Sequence, residues 1–141
     1  MTLVIQTNTQ GRLHVWICDD HGHILGHRQR VVQWHGAEFA LGLVDRLLIA
    51  CSLKPRQVRR VLVVRGPGAF SAVRIGLVLA NTFGYVLNIP VRGVTTEKKL
   101  SDKVIERLAS QHAKFQKRSV RPWYGKEPNI SQPKRRYAKA R

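Results

Sequence analysis

The sequence predicts a single α/β domain with the element order β-β-β-α-β-α-β-α and a mixed sheet. Three observations lead to this prediction. The 141 residues suit one hydrophobic core, and 43% of them are hydrophobic, which is enough to build it. Short β-prone runs fill the first third of the chain. Long runs with helical spacing of apolar residues then alternate with short strand-like runs.

Three strands open the chain and are predicted to form an antiparallel meander. The runs Leu3 to Thr7, Arg12 to Cys18 and Ile24 to Arg30 are β-prone. Turn-forming residues separate them at 8–11 and 19–22.

A first helix is predicted from Glu38 to Leu53, where apolar residues recur at helical spacing. They cover about 200° of the helix circumference, which is more than contact with one core requires. The pair Lys54-Pro55 ends this helix, because proline cannot continue it. The unbroken apolar run Val61 to Val64 then predicts a central strand.

A second helix is predicted from about Ser71 to Leu87, and it is apolar on most sides. Small residues recur at every fourth position, which predicts a shallow groove where another backbone can approach closely. These residues are Ala72, Gly76, Ala80 and Gly84.

A last strand is predicted from Val91 to Val94, followed by a third helix. Thr96 is the predicted N-cap of this helix, because its hydroxyl suits that position. The predicted buried stripe consists of Leu100, Val104, Leu108 and Phe115.

The charge of the chain is strongly positive and uneven. Lys and Arg number 25 against 8 Asp and Glu, so the net charge is +17. An excess of this size attracts RNA, DNA or an acidic protein surface. Residues 119–141 contain three prolines and no apolar period, which predicts a basic extended or disordered tail. The predicted organisation is therefore residues 1–95 as the main domain, 96–118 as the third helix and 119–141 as the tail.

Several protein classes are not expected. No apolar stretch reaches the ~18 residues of a membrane span, and no signal-peptide pattern opens the sequence. Cys18 and Cys51 have no paired spacing, so both are predicted to be reduced. We therefore expect a cytoplasmic protein without membrane contact.

The most specific pattern lies between Val61 and Gly76, where a buried strand meets a glycine turn and then a helix. This stretch resembles the strand and GPGSFTGLRIG signature of the TsaB (YeaZ) family. Members of that family are subunits of the bacterial machinery that makes threonylcarbamoyladenosine beside the anticodon of tRNA. The matching signature residues are Gly66, Pro67, Gly68, Phe70, Ser71, Arg74 and Gly76.

The resemblance covers about residues 1–95. The segment Leu3 to Thr9 resembles the opening strand of the family, and Ile89 to Val94 resembles the strand after the signature. His35 stands where a histidine often precedes the first helix. Two departures are present: Gln6-Thr7-Asn8 replaces the usual Asp-Thr-Ser, and the second half-domain is missing or replaced by the third helix and tail.

The resemblance implies a fold of the actin, sugar-kinase and Hsp70 type, which is ribonuclease H-like. It also implies a non-catalytic role in support of a TsaD-like catalytic subunit, with a TsaE-like ATPase and tRNA as further partners. No cofactor and no catalytic residue are expected. Binding of nucleotide at a subunit boundary stays an open alternative, as does a homodimer when the partner is absent.

The glycine turn and its neighbours have two interpretations. The turn Gly66 to Gly68 is either structural or a phosphate cradle at the start of a helix. Arg74 either pairs with an acidic group or a phosphate, or it packs and caps. A metal site is not expected, because His23 and His27 fall in a turn and a strand, where residues four apart are ~13 Å apart. Ser71 lies in no G-x-S-x-G elbow, so hydrolase chemistry is not expected either.

The wide apolar arcs of the first two helices suggest a protein interface. We expect these helices to form a two-helix face that docks on the matching pair of a partner, as in the pairing of TsaB with TsaD. The residues expected at or near this face are Glu38, Leu41, Asp45, Leu48, Asn81 and Tyr85.

The tail combines aromatic and cationic residues, a pairing that suits RNA. An equal alternative is an anchor in which Trp123 and Tyr124 fold back over apolar surface. The candidate RNA-binding residues are Arg121, Trp123, Tyr124, Lys134, Arg135 and Arg136. The alternative function is accordingly an RNA-binding protein of the same fold that acts outside the modification complex.

Overall fold

A five-stranded mixed sheet forms the centre of the protein. The computed structural model describes residues 1–9, 11–32 and 36–125. The strand order is β3-β2-β1-β4-β5, with antiparallel pairing of β1, β2 and β3 and parallel pairing of β1, β4 and β5. The strands are β1 (Thr2–Thr9), β2 (Arg12–Cys18), β3 (Ile24–Val31), β4 (Arg60–Val64) and β5 (Val91–Val94). This arrangement confirms the predicted meander and the mixed sheet.

Within the described residues, three helices cover the two faces of the sheet, in the predicted order. They are α1 (Gly36–Ala50), α2 (Phe70–Val86) and α3 (Asp102–Ser110). Leu3 and Ile5 point to the side of α1 and α2, whereas Val4 between them points to α3, because successive strand residues face opposite ways. None of the helices in the described ranges is long and apolar enough to cross a bilayer.

The first helix ends three residues before its predicted end at Leu53. Ser52 adopts a φ of 55°, a left-handed conformation that stops a helix. The N–H of Leu53 then donates to the carbonyl oxygen of Leu48 over 2.8 Å, which satisfies one of the last free carbonyls. Pro55 begins a short 3₁₀ turn immediately afterwards.

The third helix is shorter than predicted, and its predicted N-cap is wrong. Thr96 lies in a loop, because its N–H donates to the carbonyl oxygen of Gly66 over 3.0 Å. Ser101 is the actual N-cap, and its hydroxyl accepts from the N–H of Val104. The helix therefore spans Asp102–Ser110 rather than 96–118. Phe115 is buried as predicted, although it lies beyond the helix.

The small residues of α2 allow close contact, as predicted, and the approaching groups come from the chain's own strands. A Cβ added at Gly76 would lie 2.6 Å from Oγ1 of Thr7 on β1. One added at Gly84 would lie 2.5 Å from Cγ2 of Val91 on β5. The two glycines thus seat α2 directly on the parallel part of the sheet.

Candidate functional site

The side of α1 and α2 that faces away from the sheet exposes large apolar side chains. Tyr85 is 90% exposed and Leu41 is 60% exposed. Because α3 packs on the opposite face of the sheet, it does not cover them. We call this surface the outer face and define it by Leu41, Ile49, Val78, Tyr85 and Val86.

Four of the predicted interface residues are exposed on these helices: Glu38, Leu41, Asp45 and Tyr85. Their role in docking stays a prediction. The assignment of Leu48 is wrong, because this side chain is 1% exposed and belongs to the core between α1 and the sheet.

Asn81 serves the chain's own tail rather than a free surface. Its Nδ2 donates to the carbonyl oxygen of Val120 over 3.0 Å. Its Oδ1 accepts from the N–H of the same residue over 2.8 Å. This double hydrogen bond uses one N–H and one lone pair of the amide group, and the predicted contact of Asn81 with a partner stays a prediction.

Three members of the outer face were missed in the sequence: Ile49, Val78 and Val86. Helical spacing was a usable signal for two of them. Ile49 stands about two turns after Leu41, and Val78 stands two turns before Tyr85, so each shares the side of its helix with a residue predicted to be exposed.

The glycine turn of the signature ties three strand ends together. Gly66 has a φ of 124°, and the carbonyl group of Trp123 occupies the space that a Cβ at this position would need. Asn8 at the end of β1 donates from Nδ2 to the carbonyl oxygens of Pro67, over 2.7 Å, and Thr96, over 2.6 Å. The Gly66-Pro67 peptide bond is cis.

Gln6 is fully buried at the position where the resemblance places a carboxylate. Its Oε1 accepts from the N–H of Leu100 over 2.9 Å. Its Nε2 donates to the carbonyl oxygen of Lys98 over 2.9 Å and to Oδ1 of Asn8 over 3.0 Å. The hydrogen bonds of the amide group are therefore all made within this chain. No local pattern in the sequence indicates this network, because Leu100 and Lys98 are more than 90 positions away.

The cleft beside the glycine turn does not suit a phosphate. Its volume is about 370 Å³, and Asn8, Gly68 and Ala69 line it together with Glu97. A carboxylate opposes an anion at the start of α2, which favours the structural interpretation of the turn.

The two polar residues at the start of α2 face solvent. Ser71 is exposed in the first turn. The guanidinium of Arg74 lies 4.9 Å from the ring centre of Phe70, a contact that favours packing over binding of an anion.

A stack of three rings lies on the α3 side of β2 and β3. The ring centres of Trp16 and His27 are 4.6 Å apart, and those of His14 and Trp16 are 5.4 Å apart. Nδ1 of His14 and Nε2 of His27 share a hydrogen bond of 3.2 Å. Burial lowers the pKa of His14 to about 4, with smaller effects from the charges of Lys99, His27 and Arg12.

This buried histidine predicts a loss of stability in mild acid. The unfolded chain takes up a proton at His14 near pH 6.5, whereas the folded chain resists protonation until about pH 4. Stability from this group is therefore complete above pH 6.5 and is lost as the pH falls through this window. Between pH 7.5 and pH 5 the loss should be about 2 kcal/mol. Urea unfolding at both pH values should show it, and His14→Gln should remove most of that difference. Equal pH dependence in the two proteins would contradict this assignment.

His23 and His27, the spaced pair considered in the sequence, do not meet. His23 is exposed and its Nδ1 lies 3.2 Å from Oδ2 of Asp19. His27 pairs with His14 instead. Among the residues that the structure describes, no three His, Cys, Asp or Glu side chains are grouped to hold a metal ion.

The segment after α3 returns along the sheet, where Tyr124 packs against the core and Trp123 stays 45% exposed. Gln116 forms an antiparallel bridge with Val91 of β5. The N–H of Trp123 donates to the carbonyl oxygen of Arg65 over 2.8 Å, and the ring of Tyr124 stacks on Phe70 at 5.1 Å. The other predicted residues of this group, Lys134, Arg135 and Arg136, lie outside the described residues, as does His35.

Comparisons with known proteins identify related sequences and structures. A sequence model of the family described as "TsaD: tRNA N6-adenosine threonylcarbamoyltransferase" matches residues 30–111. The tRNA threonylcarbamoyladenosine biosynthesis protein TsaB of Bacillus subtilis (strain 168) is 36% identical over 62 residues, which are 44% of this chain and 27% of that protein.

Two solved structures from Pseudomonas aeruginosa are similar to this fold. YeaZ superposes with a TM-score of 0.60 at 28% identity. A protein described as uncharacterized, with similarity to peptidase YEAZ, superposes with a TM-score of 0.61 at 28% identity. Each match covers 67% of this chain and 42% of the other. The chain thus spans less than half the length of these relatives.

Proposed function

Because this chain belongs to the TsaD family of tRNA N6-adenosine threonylcarbamoyltransferase proteins, and within it to the TsaB/YeaZ group, we propose a role in threonylcarbamoyladenosine biosynthesis. In this role the chain is a non-catalytic subunit that docks on a TsaD-like catalytic subunit. A TsaE-like ATPase and tRNA are the further partners in the proposal.

The observation that carries this proposal is the outer face of α1 and α2. Leu41, Ile49, Val78 and Tyr85 stay exposed although the domain has a complete core on the inner side of the same helices. A cluster of large apolar side chains on adjacent helices is typical of a protein interface. Two helices of a partner can cover such a surface by packing alongside it.

The absence of a catalytic role is supported by Gln6. The resemblance places an acidic residue at this position, and Gln6 lacks the negative charge of the carboxylates that usually hold Mg²⁺ at phosphate sites. The bonds of Gln6 to Leu100 and Lys98 also direct its side chain into the protein rather than towards a ligand.

The double variant Ile49→Asp/Val78→Asp tests the docking role. Two carboxylates would be buried without partners in the complex, so we expect the affinity for the catalytic subunit to fall by more than about a hundredfold. The measurement is co-purification of the tagged chain with a co-expressed TsaD-like protein, followed by titration of the purified proteins.

The matched control is Val31→Asp, which places a charge on an exposed apolar residue of β3, on the α3 side of the sheet. This variant should retain the partner. If the outer-face variant retained the partner as well as the control does, the docking role would be disproved. If the unmodified chain fails to bind the catalytic subunit, an RNA-binding protein outside the complex becomes the better assignment. Sizing of the chain alone tests the homodimer.

A further inference from the structure

Two clefts lie along β5, the strand at the edge of the sheet. The first is between β5 and α3 and has a volume of about 850 Å³. The second is between β5 and the segment 114–121 and has a volume of about 550 Å³. Arg65 and Gly93 line both clefts, so the two form a continuous surface that we call the basic groove.

The charged side chains of the basic groove are all positive. Lys98 and Arg107 line the first cleft, and Arg92, Lys114 and Arg118 line the second. None of the described residues that line either cleft is acidic. A concave surface with cations and without acidic neighbours concentrates positive potential, which attracts an anionic ligand.

Arg65, at the centre of the groove, has unused hydrogen-bonding capacity. Its backbone is fixed, because its N–H donates to Val94 and its carbonyl oxygen accepts from Trp123. Its Nε is buried and has no hydrogen-bond partner in the structure. A buried donor without an acceptor costs free energy, and the arginine that carries it lines both clefts.

Gly93 leaves the space through which Arg65 reaches the groove. A Cβ at this position would lie 2.8 Å from Cδ of Arg65 and would also overlap Cγ1 of Val120. The aliphatic part of the Arg65 side chain therefore occupies the volume that a side chain at position 93 would fill. This packing holds the guanidinium between the two clefts.

Arg92 is a partly buried cation of the groove that lies near a second cation, Arg107. Burial lowers the pKa of this guanidinium, and the charge of Arg107 lowers it further. One of its N–H groups donates to the carbonyl oxygen of Leu108 over 3.1 Å. A phosphate bound between such cations would reduce the electrostatic repulsion between them.

An exposed aromatic residue two positions after Arg121, which lines the second cleft, favours RNA over an acidic protein as the ligand. Trp123 is 45% exposed and is attached to Arg65 by the backbone hydrogen bond. Exposed rings beside cations suit nucleic acids, because bases stack on the ring while phosphates contact the cations. We propose that the basic groove binds the backbone phosphates of an RNA and that Trp123 stacks on one of its unpaired bases.

This site differs from the docking surface, since it lies at the edge of the sheet rather than on the outer face. Only the choice of tRNA as the RNA rests on the proposed function. The groove was not predicted from the sequence, because its cations come from the residue after β4, from β5, from the loop before α3, from α3 and from the segment after α3. Of the residues predicted to bind RNA, Arg121 lines the second cleft.

The test is the affinity of the full chain for a fluorescently labelled tRNA transcript, measured by anisotropy from about 50 to 200 mM salt. The chain should bind with an affinity that falls steeply as salt rises. Lys114→Gln/Arg118→Gln should weaken binding by roughly tenfold or more and make the slope of log affinity against log salt shallower by about 1 to 2. Trp123→Ala should weaken binding at least about fivefold.

The control Arg56→Gln/Arg59→Gln removes the same charge from exposed residues outside the groove and should leave the affinity within about twofold. Equal losses in the two double variants, or no binding of tRNA by the unmodified chain, would overturn the proposal. If polyglutamate binds as tightly as tRNA, the ligand is an acidic protein rather than RNA. An unchanged affinity of Trp123→Ala for tRNA would overturn the stacking of Trp123 on a base. Since the assay uses this chain alone, its result is independent of docking on a catalytic subunit.

Discussion

Gly76→Val is expected to lower the free energy of unfolding by about 3 kcal/mol. A Cβ at this position would lie 2.6 Å from Oγ1 of Thr7, and the two methyl groups of valine would add further overlap. Thr7 cannot turn away freely, because its hydroxyl donates to the carbonyl oxygen of Ala72 over 2.6 Å. The helix must therefore move away from β1, which would open the core between them.

The same substitution at Gly42 provides the control. This glycine lies within α1, and a Cβ there would meet nothing within 4 Å. Gly42→Val should be neutral or slightly stabilising, because valine favours a helix more than glycine does. Urea unfolding of both variants measures the contrast. Equal stability of the two would mean that the contact between α2 and β1 is looser than the structure indicates.

Gln6→Glu is the second change with a large expected effect, a loss of about 3–5 kcal/mol at pH 7. One carboxylate oxygen could still accept from Leu100. The other would face the carbonyl oxygen of Lys98 and Oδ1 of Asn8, which are both acceptors and now receive hydrogen bonds from the amide. The variant would thus bury a charge without a donor to satisfy it.

The pH dependence of this variant gives a second measurement. A protonated carboxyl can donate one of the two lost hydrogen bonds, so folding should raise the pKa of the new glutamate above its usual value of about 4.3. The difference from the unmodified chain should therefore be smallest below about pH 4.3 and should increase as the pH rises. Gln29→Glu, at an exposed glutamine beside Arg12, should change stability by less than about 0.5 kcal/mol. A loss at Gln6→Glu as small as this would contradict the network.

The strands and the first two helices could be predicted within a few residues. The β-prone run of β1 and the helical spacing of apolar residues in α1 and α2 are patterns of residues that are close in sequence. The predicted start of α3 was wrong because a contact between residues far apart in sequence decides it. Thr96 is a good N-cap by its chemistry, but a hydrogen bond to Gly66, thirty positions earlier, holds it in the loop.

The candidate docking site was predicted in part. The width of the apolar arcs indicated an interface, and Leu41 and Tyr85 are exposed as a docking role requires. The arc itself did not tell which of its edges faces the sheet. Leu48 lies on the buried edge and Ile49 on the exposed edge, although both are apolar neighbours in the sequence.

The sequence by itself determined the order of elements, the family signature from Gly66 to Gly76 and the excess of positive charge. Each of these depends on residue type and on spacing along a short stretch of chain. Only the tertiary structure decided that Gln6 bonds to Leu100 and that Arg65 joins Arg92 and Arg118 in one groove. These groups are far apart in sequence, and no local pattern encodes which of them meet when the helices and the last segment pack against the sheet.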